Sequence, residues 1–549
     1  MSNTRFLLEK VLKVEVLGHA QSLSNFNIQE IFANLEHLKE KLSQGQKSFA
    51  ELYQLAFKEG AISASLPTRL GGQGLAESVG MIFIAELAEH NAGLGFELLQ
   101  TLAGIHLLDH YNDQGQFDEN LKQLVSGKVQ AVIEPADPLS QLHPMINPLK
   151  VERKGKDLAL VGKRIVFFTP SKEPKIYILL GALPEGGFGC YLVEEEGLAL
   201  DQLYPNRYLS PIEIEVNGDC KASLITSVGN EDLFKISRLR KYINVLTFSA
   251  VNQSYCKALQ WAKTNEIAQS WEQTPKLREK MAPMIYHPKV ADRLMWMKSV
   301  RDGLRAMLFH SFFYLDCMRH GADSRSEYFQ DLTLIFELIY KHYALKLGHE
   351  IKQQARHILG PEYFSMDDQH LLYQLDLMGG NSLDIAGQTV MKALQAEGGR
   401  PLQSLLQEFD LMDAHLAKSE DLKEAINVWR DYVGGLFLLH QDLMDQEESI
   451  RLWSDHIYAE RMVMLLGDVI LTHLLIKEAI EAERELEKLE VNFFNLAQEC
   501  AGHPQAAQYY NKIQTALYFA YMELSAQEGQ IRIIQKSKHI PLESILSEI

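Results

Sequence analysis

Residues 158–168 read LALVGKRIVFF, a run of β-branched and aromatic side chains that suits a pleated strand better than a helix. Similar short runs flank it: VQAVIEP (129–135), KIYILLGAL (175–183), FGCYLVEE (188–195) and IEIEV (212–216), separated by Gly, Pro and charged turns. Strands of that length and spacing predict a compact antiparallel β-domain over 131–230.

On both sides the periodicity changes to that of helices. Residues 1–130 carry FAELYQLAFKEGAISASLP (49–67) and VGMIFIAELAEHNAGLGFELLQTLAGIHLLDHY (79–111), with apolar positions recurring at helical spacing. Between them LPTRLGGQGL (66–75) has the proline and paired glycines of a turn. From 231 long helices resume, forming an expected bundle over 231–400. PLQSLLQEFDLMDAHLAKSEDLKEAINVWRDYVGGLFLLHQDL then opens a further helical domain over 401–549. The fold class is therefore mainly α with an inserted β-domain, which is clamped between helical layers rather than tethered by a linker.

With 549 residues, 46% hydrophobic and 23% charged, the chain has ample surface for several cores. A net charge of −18 opposes nucleic-acid binding, which needs clustered Lys and Arg. The five cysteines lie far apart without a CxxC pair, which suits reduced thiols and a cytoplasmic protein. Glu9, Lys10 and Lys13 break the first apolar run, so no secretory signal is expected. The run MVMLLGDVILTHLLI (462–476) holds Asp468 and His473 and is too short to span a bilayer, so it reads as a buried helix.

No GxGxxG after a strand, GxxxxGK[ST], HExxH or GxSxG occurs, and GGQG and GGFG read as turns. His287, His310, His349 and His357 lack the spacing of metal ligands, and no metal site is expected.

The succession of helices, small β-domain and long-helix bundle resembles the acyl-CoA dehydrogenase superfamily. LPTRLGGQGL is similar to that family's loop before its paired helices, IAELAEHNAGLGFELLQTLAGIHLLDHY to the helices walling the acyl pocket, and LKQLVSGKVQAVIEP to the entry into its β-domain. MAPMIYHPKVADRLMWMKSVRDGLRAMLFHSFFYLD (281–316) resembles the branch that includes 3-methylmercaptopropionyl-CoA dehydrogenase. Members of that branch carry an extra C-terminal helical domain, as HIYAERMVMLLGDVILTHLLIKEAIEAE and NKIQTALYFAYMEL do here. The resemblance implies FAD as cofactor, an acyl-CoA or other small hydrophobic ligand, and a homodimer or homotetramer.

Such enzymes oxidise the α,β-bond of an acyl thioester. A glutamate takes the weakly acidic α-proton while hydride leaves to the flavin, so a desolvated carboxylate of raised pKa is required. The family places that base in Tyr-Glu-Gly-Thr-Asn, where this chain has Leu377-Met378-Gly379-Gly380-Asn381. Met378 thus stands at the base position, and a thioether accepts no proton at neutral pH. Asp376 is the neighbouring carboxylate. The earlier helix that carries the base in other members corresponds to residues 237–265, which contain no Asp or Glu.

The cofactor positions diverge in the same way. Ile133 replaces the Thr of Thr-Glu-Pro, with Glu134 and Pro135 kept, and Leu139 stands where a serine would help hold phosphates. Phe167, Phe168 and Thr169 are nearest to the residues that embrace the flavin ring. Asn265 falls at the arginine that meets the FAD pyrophosphate, and His357-Ile358-Leu359-Gly360-Pro361 replaces Gln-x-x-Gly-Gly. Pro361 also removes a backbone donor. The expectation is a fold that has lost standard FAD-dependent dehydrogenation and serves as a binding, scaffold or regulatory protein. The alternative is an FAD-dependent acyl-CoA dehydrogenase with a relocated base drawn from Asp367, Asp368, Asp376 or Asp384.

Overall fold

The computed structural model describes residues 3–13, 28–43, 48–134, 149–154, 157–168, 173–183, 187–196, 198–202, 210–217, 220, 222–228, 239–268, 281–320, 325–365, 371–377, 394, 396–444 and 448–536. Helices α1 (Ile28–Ser43), α2 (Phe49–Lys58), α3 (Glu77–His90), α4 (Ala92–His110) and α5 (Asp118–Val125) come first. The strands are β1 (Gln130–Ile133), β2 (Leu149–Lys154), β3 (Asp157–Phe168), β4 (Lys175–Ala182), β5 (Phe188–Glu194), β6 (Leu198–Gln202), β7 (Ser210–Asn217) and β8 (Ala222–Val228). Helices α6 (Leu239–Thr264), α7 (Pro288–His320), α8 (Ser326–Leu359) and the short α9 (Leu371–Leu377) follow. The C-terminal region holds α10 (Arg400–Asp410), α11 (Glu420–Met444), α12 (Glu448–Lys488), α13 (Pro504–Tyr518) and α14 (Glu528–Lys536).

Local chemistry sets several of these ends. Ser48 and Glu51 form a reciprocal capping box that starts α2, the serine hydroxyl accepting the Glu51 N–H at 3.3 Å and the glutamate accepting the Ser48 N–H at 2.7 Å. Pro504 opens α13, where its missing N–H costs nothing, and the His503 ring accepts the Ala506 N–H at 3.2 Å. Glu483 of α12 caps the segment entering α11 from a distance, accepting the N–H groups of Lys418 and Ser419 at 2.6 and 3.1 Å.

The strands form one eight-stranded sheet in the order β1-β4-β5-β8-β3-β7-β6, with β2 bridging β3 and β4. The pairings of β2, β3, β8, β5 and β4 therefore close a ring. Most pairs are antiparallel as expected, but β1 and β2 each run parallel to β4. Alternation of side chains has the same period in either direction, so strand sense was invisible in the pattern.

The run that identified the β-region is buried on both faces. In β3, Val166 and Phe168 enter the ring's interior with Tyr177, Leu179 and Tyr191. Ile165 and Phe167 face the core shared with the helices. β4 divides its side chains in the same way, Ile176 and Ile178 lying outward.

The bundle packs α6, α7 and α8 together, and α12 lies along α7 with α13 behind it. The 462–476 run is buried in this packing as α12, and among the described residues no helix is long and apolar enough to cross a membrane. Buried charges join α7 to the C-terminal region. Asp302 accepts from Arg301 at 2.6 Å and Arg305 at 3.1 Å, Arg305 spans to both oxygens of Glu478 at 3.2 Å, and Lys512 of α13 pairs with Glu478. Residues 3–11 meet two regions, and Arg5 lies 5.6 Å from the Phe32 centroid of α1. Asn3–Val11 docks on the C-terminal region, with Phe6 5.6 Å from the Tyr509 ring and Lys512 4.5 Å from the Phe6 centroid. Apolar spacing announces a face to be buried without naming its partner.

Two outcomes follow from these buried groups. Arg305→Leu leaves Asp302 and Glu478 under-compensated and is expected to lower unfolding free energy by about 3–5 kcal/mol in urea titrations. Asp468, which accepts the Tyr343 hydroxyl, is pushed by burial from 3.8 up to about 8. The folded chain then holds a proton that the unfolded chain releases, so the stabilisation is complete below pH 3.8 and lost as pH rises through about 8. Asp468→Asn should flatten the fall of the urea midpoint across that window.

Candidate functional site

Helix α4, buried along most of its length, is fastened to the sheet by its polar side chains. Gln100 donates to the Phe167 carbonyl at 3.2 Å and accepts the Ile133 N–H at 3.0 Å. Thr101 accepts the Ala131 N–H at 3.4 Å and lies 3.3 Å from the Tyr53 hydroxyl. These bonds fix the positions where the family resemblance puts flavin contacts. Ile133 sits in the helix-facing core. Glu134 pairs with Arg164 at 2.9 Å, accepts the Leu180 N–H at 2.9 Å, and donates its own N–H to Ile178. It therefore ties β1, β3 and β4 together. Phe168 is only 5% exposed, edge-on to Tyr177 at 6.5 Å with Lys175 5.3 Å from its centroid, inside the sheet's ring.

The helical positions lie at element ends. Asn265 closes α6, its side-chain amide donating to the Trp261 carbonyl at 3.0 Å and its carbonyl accepting the Met284 N–H at 2.8 Å. His357 is exposed in the last turn of α8. Gly360 stops that helix at φ 58°, ψ −131°, a conformation that glycine adopts without strain. Among the described residues, the contacts of these side chains run to separate elements. Pro135, Leu139, Thr169, Asp367, Asp368, Met378 and Asp384 lie outside the described residues.

Asp376 is placed on α9, whose Leu371, Leu372 and Leu375 are buried against α6 and α8. A Cβ at Gly348 would lie 3.1 Å from Leu372 and 3.2 Å from Val251, so the glycine permits this close approach. Asp376 is half-buried, and its Oδ1 is buried with no hydrogen-bond partner among the described residues. His342 is buried with both ring nitrogens in the same condition, and His349 packs 4.5 Å from the Tyr373 ring. Burial lowers both histidines, while the Asp376 carboxylate opposes that shift. The Asp376 carboxylate is thus within electrostatic reach of two lowered imidazoles, on the helix that leads to Met378. The sequence singled out Asp376 and His349 without connecting them.

A second polar group went unnoticed in the sequence. Tyr242 of α6 donates to Glu77 at 2.6 Å, and Arg319 of α7 pairs with the other oxygen of Glu77. Asp316 accepts the Glu77 and Ser78 N–H groups at 2.8 and 2.9 Å, capping α3. Burial, followed by the Glu77 charge, pushes Asp316 up to about 6. Lys241 is buried beside them, donating to the Ser311 carbonyl at 3.1 Å. Glu77 thus brings a carboxylate to the helix that has none of its own, but Arg319 and Tyr242 occupy both of its oxygens. Charged residues inside apolar stretches are the only sequence signal of this group.

No family model matches the sequence. A curated butyryl-CoA dehydrogenase from Syntrophomonas wolfei is 22% identical over 317 residues, 53% of this chain and 47% of that protein, so the match spans about half its length. Among solved structures, Caenorhabditis elegans ACDH-11 in complex with C11-CoA superposes with a TM-score of 0.67 at 14% identity, covering 97% of this chain and 94% of that one. An acyl-CoA dehydrogenase complexed with FAD from Bacillus anthracis gives 0.63 at 14% identity, covering 98% and 91%. The chain has the acyl-CoA dehydrogenase fold, with an additional C-terminal helical region.

The charge state of Asp376 can be read from its neighbours. Asp376→Asn is expected to lower the His349 pKa further in an NMR titration of the imidazole C–H signals, because the opposing carboxylate charge is gone. An unchanged or higher value would mean that Asp376 does not act on that ring as a carboxylate.

Proposed function

We propose that this chain is an acyl-CoA dehydrogenase-fold protein that has lost standard FAD-dependent α,β-dehydrogenation and works as a binding, scaffold or regulatory protein. The observation that carries this reading is the missing base: Met378 stands at the glutamate position, and α6 has no carboxylate. The placement of the cofactor equivalents supports it. Phe168 fills the interior of the sheet, Glu134 is committed to Arg164 and Leu180, and the Asn265 amide closes its own helix. These groups do not fit the flavin where the resemblance would put it. If a ligand is kept, its class is that of an acyl thioester, as in the C11-CoA complex of the C. elegans protein, which aligns with 97% of this chain. The reading includes assembly as a homodimer or homotetramer.

One observation favours a second reading, a flavoenzyme with a relocated base. Asp376 presents a buried carboxylate oxygen without a partner among the described residues, next to His342 and His349. Absorption spectroscopy of the purified protein, before and after denaturation, separates the two. The first reading expects no stoichiometric release of flavin and no enoyl product from acyl-CoA thioesters. Released FAD at one per chain, with turnover abolished by Asp376→Asn, would establish the second.

A further inference from the structure

Between α10 and α12, in the C-terminal region, lies a cavity of about 120 Å3. One face of α12 lines it with His473, Lys477, Ile480 and Arg484, which helical spacing stacks on successive turns. The end of α10 adds Glu408 and the turn after it Met412, and Val11 of the docked N-terminal segment closes another side. Its rim is apolar: Leu411 is 69% exposed and Leu416 38%.

The charges around the cavity are already matched. Glu408 accepts Lys477 at 2.7 Å and the Tyr328 hydroxyl at 2.8 Å, and Arg484 pairs with Glu481. An anionic guest would have to displace Glu408 or Glu481 from a cation, and a cationic guest would meet Lys477 and Arg484. Either exchange costs a buried or half-buried ion pair. His473 is the least committed polar group of the lining. It is 1% exposed, held between Trp429 and Phe409 at 5.2 and 5.1 Å, and its Nε2 meets Glu408 only in a long ion-pair contact of 3.7 Å. Neither ring nitrogen has a hydrogen-bond partner among the described residues. A buried imidazole in that state is costly until something donates to it or accepts from it. A closed apolar cavity of about 150 Å3 takes one benzene molecule; the space here is smaller but opens at the Leu411 rim, so one six-membered ring is the upper limit of its guest.

We propose that this cavity binds a small neutral hydroxyl compound the size of phenol. The hydroxyl hydrogen-bonds to His473, and the ring lies among Val11, Met412 and Ile480. This site is separate from the one inherited with the fold, and it needs neither flavin nor thioester.

The test is calorimetric titration of the full chain with phenol, benzene and benzoate, with the Met412 methyl signal followed by NMR. Phenol should bind one per chain at millimolar strength, the range open to so few atoms, and should shift the Met412 methyl. Benzoate should not compete. His473→Phe should weaken phenol about tenfold while leaving benzene unchanged, the effect of one lost hydrogen bond. Val11→Trp should fill the space and abolish both. The proposal is overturned if phenol leaves the Met412 methyl of the unmodified chain unmoved, if benzoate binds more tightly than phenol, or if phenol binds equally well to both variants.

Discussion

The architecture depends on a group of charges removed from water between α7, α12 and α13. Among the described residues, Lys298, Arg301, Arg305 and Lys512 surround Asp302 and Glu478. Aromatic faces contribute where carboxylates are lacking: the Arg301 guanidinium lies 4.3 Å from the Tyr255 centroid, and Lys512 lies over Phe6. Burial and the surplus of positive charge act together to lower Lys298 and Lys512, and the cations hold Asp302 well below the usual carboxylate range despite its burial. Such an arrangement adds little net stability over a well-packed apolar contact, but it tolerates few alternative alignments. It joins the C-terminal region to the bundle through α12 and α13, and α12 also lines the cavity beside α10.

The layer order was legible because the apolar period changes at the β-region and changes back after it. Burial of α12 was legible too, since Asp468 and His473 interrupt an otherwise lipid-like run. The two parallel pairings with β4 were not, because alternation carries no direction. Nor was the docking of Phe6, Leu7 and Leu8 against helices from the other end of the chain.

The polar groups divide in the same way. The lack of acids in α6 is a statement about residue type, and a sequence makes it directly. The association of Asp376 with His342 and His349, and of Glu77 with Tyr242 and Arg319, joins residues from different helices. No spacing rule within one element encodes such pairs. In both groups a carboxylate oxygen lies inside the helical bundle, but the two differ in commitment. Glu77 is consumed by an arginine and a tyrosine, whereas Asp376 keeps an oxygen in reserve.

The seating of Phe6 against Tyr509 also bears on biosynthesis. About 500 residues separate the two, so at ribosomal speeds of ~5–20 residues per second the first apolar turn waits roughly 25–100 s for its partner. During that interval Phe6, Leu7 and Leu8 lack the partners that bury them in the folded structure. Closing this contact must wait until the helix that carries Tyr509 has been made.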